Sequence, residues 1–197
     1  MKRLLPIIFI LILSSCSKEV PLEQTVERNG ITYEVNSEKP FTGTTVSYYE
    51  NGQVEYRINF KDGIEDGLSE EYSDNGQLEY RYNSKDGERD GLYESYFENG
   101  QLEYKGNFKD GEQDGLFEEY SDNGQLKYLR NFKDGKRDGL HEYYYDNGQL
   151  KEKGNYKDGE QDGLWETYRV DGLSMGNICV KNNRSVHTSN CEKKSDE

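Results

Sequence analysis

The sequence predicts an all-β chain, an elongated antiparallel β-meander of repeated hairpins, and three observations carry that expectation. The first is periodicity. Asn-Gly-Gln recurs at Asn51, Asn75, Asn99, Asn123 and Asn147, and Lys-Asp-Gly at Lys61, Lys85, Lys109, Lys133 and Lys157. Asp-Gly-Leu follows at Asp66, Asp90, Asp114, Asp138 and Asp162, so each series is spaced 24 residues apart. Three interleaved series at one period mark tandem structural units. The second is composition: 31% hydrophobic and 32% charged residues leave little for an ordinary core, while 17 Tyr and 7 Phe are far too many for a disordered chain. That mixture fits a thin sheet held by cross-strand ring pairs. The third is punctuation: Asn-Gly and Asp-Gly supply the positive φ of tight hairpins, and no Pro follows Pro40, as ladder hydrogen bonding requires.

Taken in chain order, residues 1–15 read as a secretory signal. Lys2 and Arg3 are a positive start, and Leu4 to Leu13 is apolar apart from Pro6, too short for a bilayer span of roughly 20 residues. The stretch ends in Leu13-Ser14-Ser15-Cys16, which resembles the lipobox of bacterial lipoproteins. The resemblance implies a lipid on Cys16, cleavage just before it and anchorage in the cell envelope. Ser17, where some lipoproteins carry a retaining Asp, points to the outer membrane in a cell that has one. Several acyl chains hold such an anchor stably, at about 0.8 kcal/mol per buried CH₂. Removing Lys2 and Arg3 takes the formal charge from −14 to −16, a field that repels nucleic acid and anionic headgroups. With Cys16 used for lipid, Cys179 and Cys191 form an even pair in an exported protein, which reads as a disulfide.

Residues 16–28 read as a linker and 29–172 as the repeat sheet, with Asn29-Gly30 as a shortened first unit. Within a unit, Gln101 to Phe108 alternates with period two, Lys109 to Gly115 turns, Leu116 to Tyr120 returns, and Asp122-Asn123-Gly124 turns again. A two-residue Asn-Gly turn would set Phe97 opposite Leu102. The preferred alternative, a three-residue loop with a Gly bulge, sets Tyr96 opposite Tyr104, Leu92 opposite Phe108, Glu94 opposite Gly106 and Glu118 opposite Arg130. It gathers Leu92, Tyr96, Leu102, Tyr104 and Phe108 on one face, and a slip of one residue would turn every side chain over. About 14 strands at ~4.8 Å give a sheet on the order of 65 Å long and ~24 Å wide. Both ends then need caps. Ile31 to Phe41 and residues 173–197 are the candidates, the latter a hairpin turned at Asn182-Asn183 and followed by a polar tail.

Asp-Gly-Leu-Trp-Glu-Thr-Tyr near Trp165 and Tyr-Tyr-Glu-Asn-Gly-Gln near Asn51 resemble the bacterial MORN repeat variant, the repeat of proteins labelled YwqK-like antitoxins. The resemblance runs from about Asn29 to Gly172. It implies stacked hairpins in an elongated, solenoid-like sheet used for protein association and sometimes lipid contact.

Catalysis finds no footing in the motifs. His141 lies in a strand and His187 in the tail, and there is no nucleophile elbow, zinc-binding helix or phosphate loop. Adjacent carboxylates such as Glu70-Glu71 and Glu118-Glu119 point to opposite faces of a strand. Asp110 to Gly115 resembles the opening of a calcium loop, and Asp86, Glu88 and Asp90 repeat it. But Ile64 and Lys136 break the pattern in other copies, and Ser121 stands where the closing Glu belongs. Neither metal nor cofactor is expected. The position after each Asp-Gly-Leu varies, reading Ser69, Tyr93, Phe117, His141 and Trp165, while the Leu and Tyr columns hardly change. Tyr93, Phe117, His141 and Trp165 are therefore the expected binding face, for a protein or envelope glycan of basic or neutral character. A second reading is an immunity-type protein that sequesters an exported toxin.

Overall fold

The computed structural model describes residues 18–187 and residue 191. The signal segment and Cys16 lie outside the described residues. Nearly every described element is a strand, and the one helical element is a 3-10 turn, Leu22–Gln24.

The repeat folds as a pair of strands. Outgoing strands are Val54–Lys61, Leu78–Lys85, Leu102–Lys109, Leu126–Lys133 and Leu150–Lys157. Return strands are Ile64–Tyr72, Glu88–Tyr96, Gly115–Tyr120 (preceded by Glu112–Gln113), Lys136–Tyr144 and Glu160–Tyr168. With Gly43–Tyr48 before them, Ser174–Lys181 and Arg184–Val186 after, and Glu19–Pro21 at the leading edge, they form one 15-stranded sheet in which successive strands from Gly43 onward pair antiparallel. One pairing departs from the meander: Glu19–Pro21 runs parallel to Gly43–Tyr48 and covers the leading edge. Asn29-Gly30 does not open a sheet repeat either. It turns a separate two-stranded hairpin, Thr25–Arg28 with Ile31–Glu34.

Two turn types alternate. At Lys-Asp-Gly the Asp and Gly both take positive φ, as at Asp62 (50°) and Gly63 (81°), so the hairpin closes over two residues with Lys61 facing Ile64. The expected seven-residue turn from Lys109 to Gly115 is therefore two residues long. The second Asp-Gly falls inside the return strand, where it kinks the ladder: pairing slips between Ile58 and Phe60, and Asn131 Nδ2 donates to the Leu140 carbonyl at 3.1 Å across the equivalent kink. At Asn-Gly the loop has three residues. Gly100 donates to the Phe97 carbonyl at 2.8 Å, and Phe97 to the Gln101 carbonyl at 2.9 Å.

The loop type matches expectation and the register does not. Phe97 faces Gln101 and Tyr96 faces Leu102, and a second bulge at Glu103 then shifts the ladder. Beyond it Ser95 faces Tyr104, Glu94 faces Lys105, Tyr93 faces Gly106 and Leu92 faces Asn107. Glu118 faces Leu129, and it is Phe117 that faces Arg130. The face expected to gather Leu92, Tyr96 and Tyr104 does not exist, because one bulge puts Tyr104 on the opposite side from Leu92 and Tyr96.

Repeats are tied to their neighbours at both edges. Each Asp-Gly turn donates back to the preceding unit, Gly111 to the Arg89 carbonyl at 2.9 Å and Gly159 to the Arg137 carbonyl at 2.8 Å. On the other edge Asn99 Nδ2 reaches the Asp122 carbonyl at 2.6 Å and Asn147 Nδ2 the Val170 carbonyl at 2.9 Å. Stability is then a sum of units and nearest-neighbour links. The ends are closed by apolar clusters: Val20, Phe41 and Val46 in front, Cys179 and Val180 behind. At the rear Asn182-Asn183 turns the last hairpin, and a disulfide joins Cys179 to Cys191 with their Cα atoms 5.6 Å apart.

Candidate functional site

The two faces of the sheet divide the chemistry. On one, a charged row crosses the strands in register: Arg57, Glu70, Arg81, Glu94, Lys105 and Glu118 face one another in turn. Glu94 is 6% exposed, held by Arg81 at 2.6 Å and Lys105 at 3.9 Å, and accepts the Tyr96 hydroxyl at 3.0 Å. Directly opposed opposite charges of this kind each contribute roughly 0.2–1 kcal/mol. This face holds itself together.

The other face carries a row of rings that includes Phe108, Phe132 and Tyr156, and the expected binding column is packed into that row. Trp165 is 3% and His141 7% exposed, and Tyr93 and Phe117 are half-buried. The rings run edge to face: Tyr93 to Phe108 at 5.9 Å, Phe108 to Phe117 at 5.6 Å, Phe117 to Phe132 at 5.1 Å, then His141 to Tyr156 at 5.6 Å and Tyr156 to Trp165 at 5.3 Å. Phe117 and Trp165 each lie against a glycine on one side. A Cβ added to Gly154 would sit inside the Trp165 indole, and one on Gly106 inside the Phe117 ring. Some facing positions vary with the column: Ser69 faces Tyr82, Tyr93 faces Gly106 and His141 faces Gly154, while Tyr93 also faces Tyr82, and Phe117 and His141 both face Arg130. Phe117, His141 and Trp165 are therefore packing residues and the four do not form one open recognition face; Tyr93, half-buried, packs on Phe108 and also borders a groove. Burial, and behind it the charges of Arg137 and Arg130, lower the His141 imidazole to about 4, so it is neutral at physiological pH.

The calcium-like Asp residues serve turns: Asp138 Oδ2 accepts the Asp158 amide at 3.2 Å and pairs with Lys157 at 2.9 Å. Lys157 beside it, and the amide, hold the Asp138 carboxyl below its usual range. Among the described residues no cluster of His, Cys, Asp or Glu could hold a metal.

A second row on this face lies nearer the Asn-Gly turns: Tyr56, Glu71, Tyr80, Ser95, Tyr104, Glu119, Tyr128 and Tyr143 in register, partly exposed except for the buried Ser95. The bulge residues, Glu55, Glu79, Glu103, Lys127 and Lys151, join this side, as Ser47 donating to Glu55 at 3.1 Å, Ser95 to Glu103 at 3.3 Å and Lys127 pairing with Glu119 at 3.1 Å show. Between the turns at Asn75 and Asn99 lies a groove of about 730 Å³ lined by Tyr80, Tyr93, Ser95 and Tyr104, with Asp74, Glu79, Glu98 and Glu103 around it. Sequence reasoning passed over this row. Its signal was the column after each Asn-Gly-Gln-Leu or -Val, which reads Glu, Glu, Glu, Lys, Lys.

No curated protein matches the chain. Among solved structures it is similar to one described as the crystal structure of the GtfA/B complex bound to UDP and GlcNAc, at 12% identity and a TM-score of 0.24. The match covers 67% of this chain and 23% of that one, so the chain spans about a quarter of that structure's length. The MORN repeat variant matches five times in tandem, over residues 41–62, 65–86, 89–110, 113–134 and 137–158, together more than half of the sequence. The chain belongs to the MORN repeat variant family.

Proposed function

We propose that the chain is a lipid-anchored scaffold of the cell envelope that works by binding a protein partner rather than by catalysis. The observation that supports it most is the allocation of side chains on the sheet. One face is committed to cross-strand ion pairs and one row of the other to ring packing, while the turn-side row leaves a groove of rings and carboxylates open to solvent. A formal charge of −16 after processing favours a basic or neutral partner over nucleic acid or anionic lipid. The anchor would be Cys16, with the sheet standing off the membrane. A partner that is an exported toxin is a special case of the same chemistry.

Replacing Cys16 by Ser is expected to abolish lipid labelling and release the protein from the membrane fraction; membrane retention without labelling contradicts the anchor. Crosslinking in intact cells followed by mass spectrometry is expected to recover a protein bound to the repeat sheet. Recovery of glycan alone contradicts the choice of partner class.

A further inference from the structure

We propose that the groove between the Asn75 and Asn99 turns is a receptor for a cationic side chain, the guanidinium or ammonium group of an Arg or Lys presented by a segment of a partner protein. The proposal deepens the scaffold reading and rests on it.

Three observations point there. First, the register places Tyr80 and Tyr104 on the two sides of Ser95, so two strand spacings, about 9.6 Å, separate their backbones, and Ser95 between them is buried and donates to the Glu103 carboxylate at 3.3 Å, which places an acid over the space between the rings. Tyr93 closes the floor. A group sandwiched at the ~3.5–4.0 Å contact distance from both sides needs a gap of that order. Second, four carboxylates line the groove, and among the described residues no Lys or Arg does. A cation is attracted by the ring quadrupole and by the acids alike, whereas an anion or a second copy of this acidic face is repelled.

Third, the chain performs the same recognition on itself one and two units further on. There the residue corresponding to Ser95 is Glu119 and then Tyr143, and the bulge residue corresponding to Glu103 is Lys127 and then Lys151. The Arg130 guanidinium lies 4.0 Å from the Tyr128 ring centre and donates to Glu119 at 3.1 Å. Lys127 Nζ is 5.5 Å from the same ring, and Lys151 Nζ is 4.3 Å from that of Tyr143. The next position, between Tyr104 and Tyr128, holds Arg130 and Lys127, and the one after, between Tyr128 and Glu152, holds Lys151; the earlier one offers two rings with acids instead.

The test uses the full mature chain in a neutral detergent and a fluorescent nonapeptide alternating Gly and Arg, with a Gly-Glu peptide as control, read by anisotropy at low salt. The Arg peptide binds and the Glu peptide does not. Glu103→Lys, which installs the cation found at Lys127 and Lys151, weakens binding by about tenfold or more by filling the cradle. Tyr104→Ala weakens it about fivefold. Glu160→Lys, an equal charge change in another repeat, weakens it less than about twofold. Unchanged thermal unfolding of Glu103→Lys shows that the sheet is intact. Equal losses in Glu103→Lys and Glu160→Lys, or no binding by the unmodified chain, overturn the cradle. The scaffold reading is judged separately: a Glu103→Lys chain that still crosslinks its partner in cells refutes the cradle and leaves the scaffold standing.

Discussion

The two halves of the sheet repeat one backbone plan and dispose of their rings differently. In the C-terminal half Tyr128 and Tyr143 stack at 4.4 Å and are covered by Arg130 and Lys151, while His141, Tyr156 and Trp165 interlock in the neighbouring row. In the N-terminal half Ser69 and Ser95 replace bulk, Glu55, Glu79 and Glu103 replace the bulge lysines, and Tyr104 stands 36% exposed. The same antiparallel plan runs through both, interrupted where the return strand breaks between Gln113 and Gly115. The lesson is that in a repeat sheet the backbone fixes where side chains point, and single substitutions decide whether a given position packs, pairs or stays open.

The comparison can be broken at its most packed point first. Trp165→Ala removes a buried indole whose partner, Gly154, cannot fill the space, and should cost about 3–5 kcal/mol in urea unfolding; Tyr104→Ala in the open half should cost far less. Opening the Cys179–Cys191 disulfide, which spans 12 residues, should cost about 2–3 kcal/mol and act at the C-terminal end alone, visible as hydrogen exchange confined to the last two hairpins. The next effect is pH-dependent. The folded-state value of His141, about 4, lies below its unfolded 6.5, so the unfolded chain takes up the proton first. Its stabilising contribution is complete above pH 6.5 and is lost as pH falls towards 4, at no more than about 1.4 kcal/mol per pH unit. His141→Phe should therefore lose less stability than the parent between pH 7 and pH 5. Smallest is Lys151→Gln, which removes a solvent-facing cation from Tyr143 and should cost less than about 1 kcal/mol by thermal unfolding.

Much of this fold could be read from Asn-Gly and Asp-Gly spacing, because those dipeptides report a backbone conformation directly. The hairpins, the three-residue loop at Gly100 and the terminal turn at Asn182-Asn183 all follow from it. The bulge at Glu103 could not be read, since a bulge adds one residue without needing Gly or Pro, and the alternation around it looks unbroken from sequence. Missing it reversed the faces. Tyr93, Phe117, His141 and Trp165 then looked like an exposed, variable recognition column, where close partners such as Gly106 and Gly154 show Phe117 and Trp165 to be packing and only Tyr93 reaches the open groove. Intra-chain variation is ambiguous in this way: it marks recognition only when the facing position does not vary to match. The parallel Glu19–Pro21 strand was hidden for a different reason, as a three-residue edge strand carries no periodicity.

The claim that the halves differ in occupancy of like cradles is tested most directly by ring-labelled tyrosine NMR during titration with the Gly-Arg peptide. The account predicts that the Tyr80 and Tyr104 ring resonances move with a common saturation curve, while those of Tyr128 and Tyr143, already covered by Arg130 and Lys151, stay in place. Equal movement of all four, or movement confined to Tyr128 and Tyr143, would contradict it.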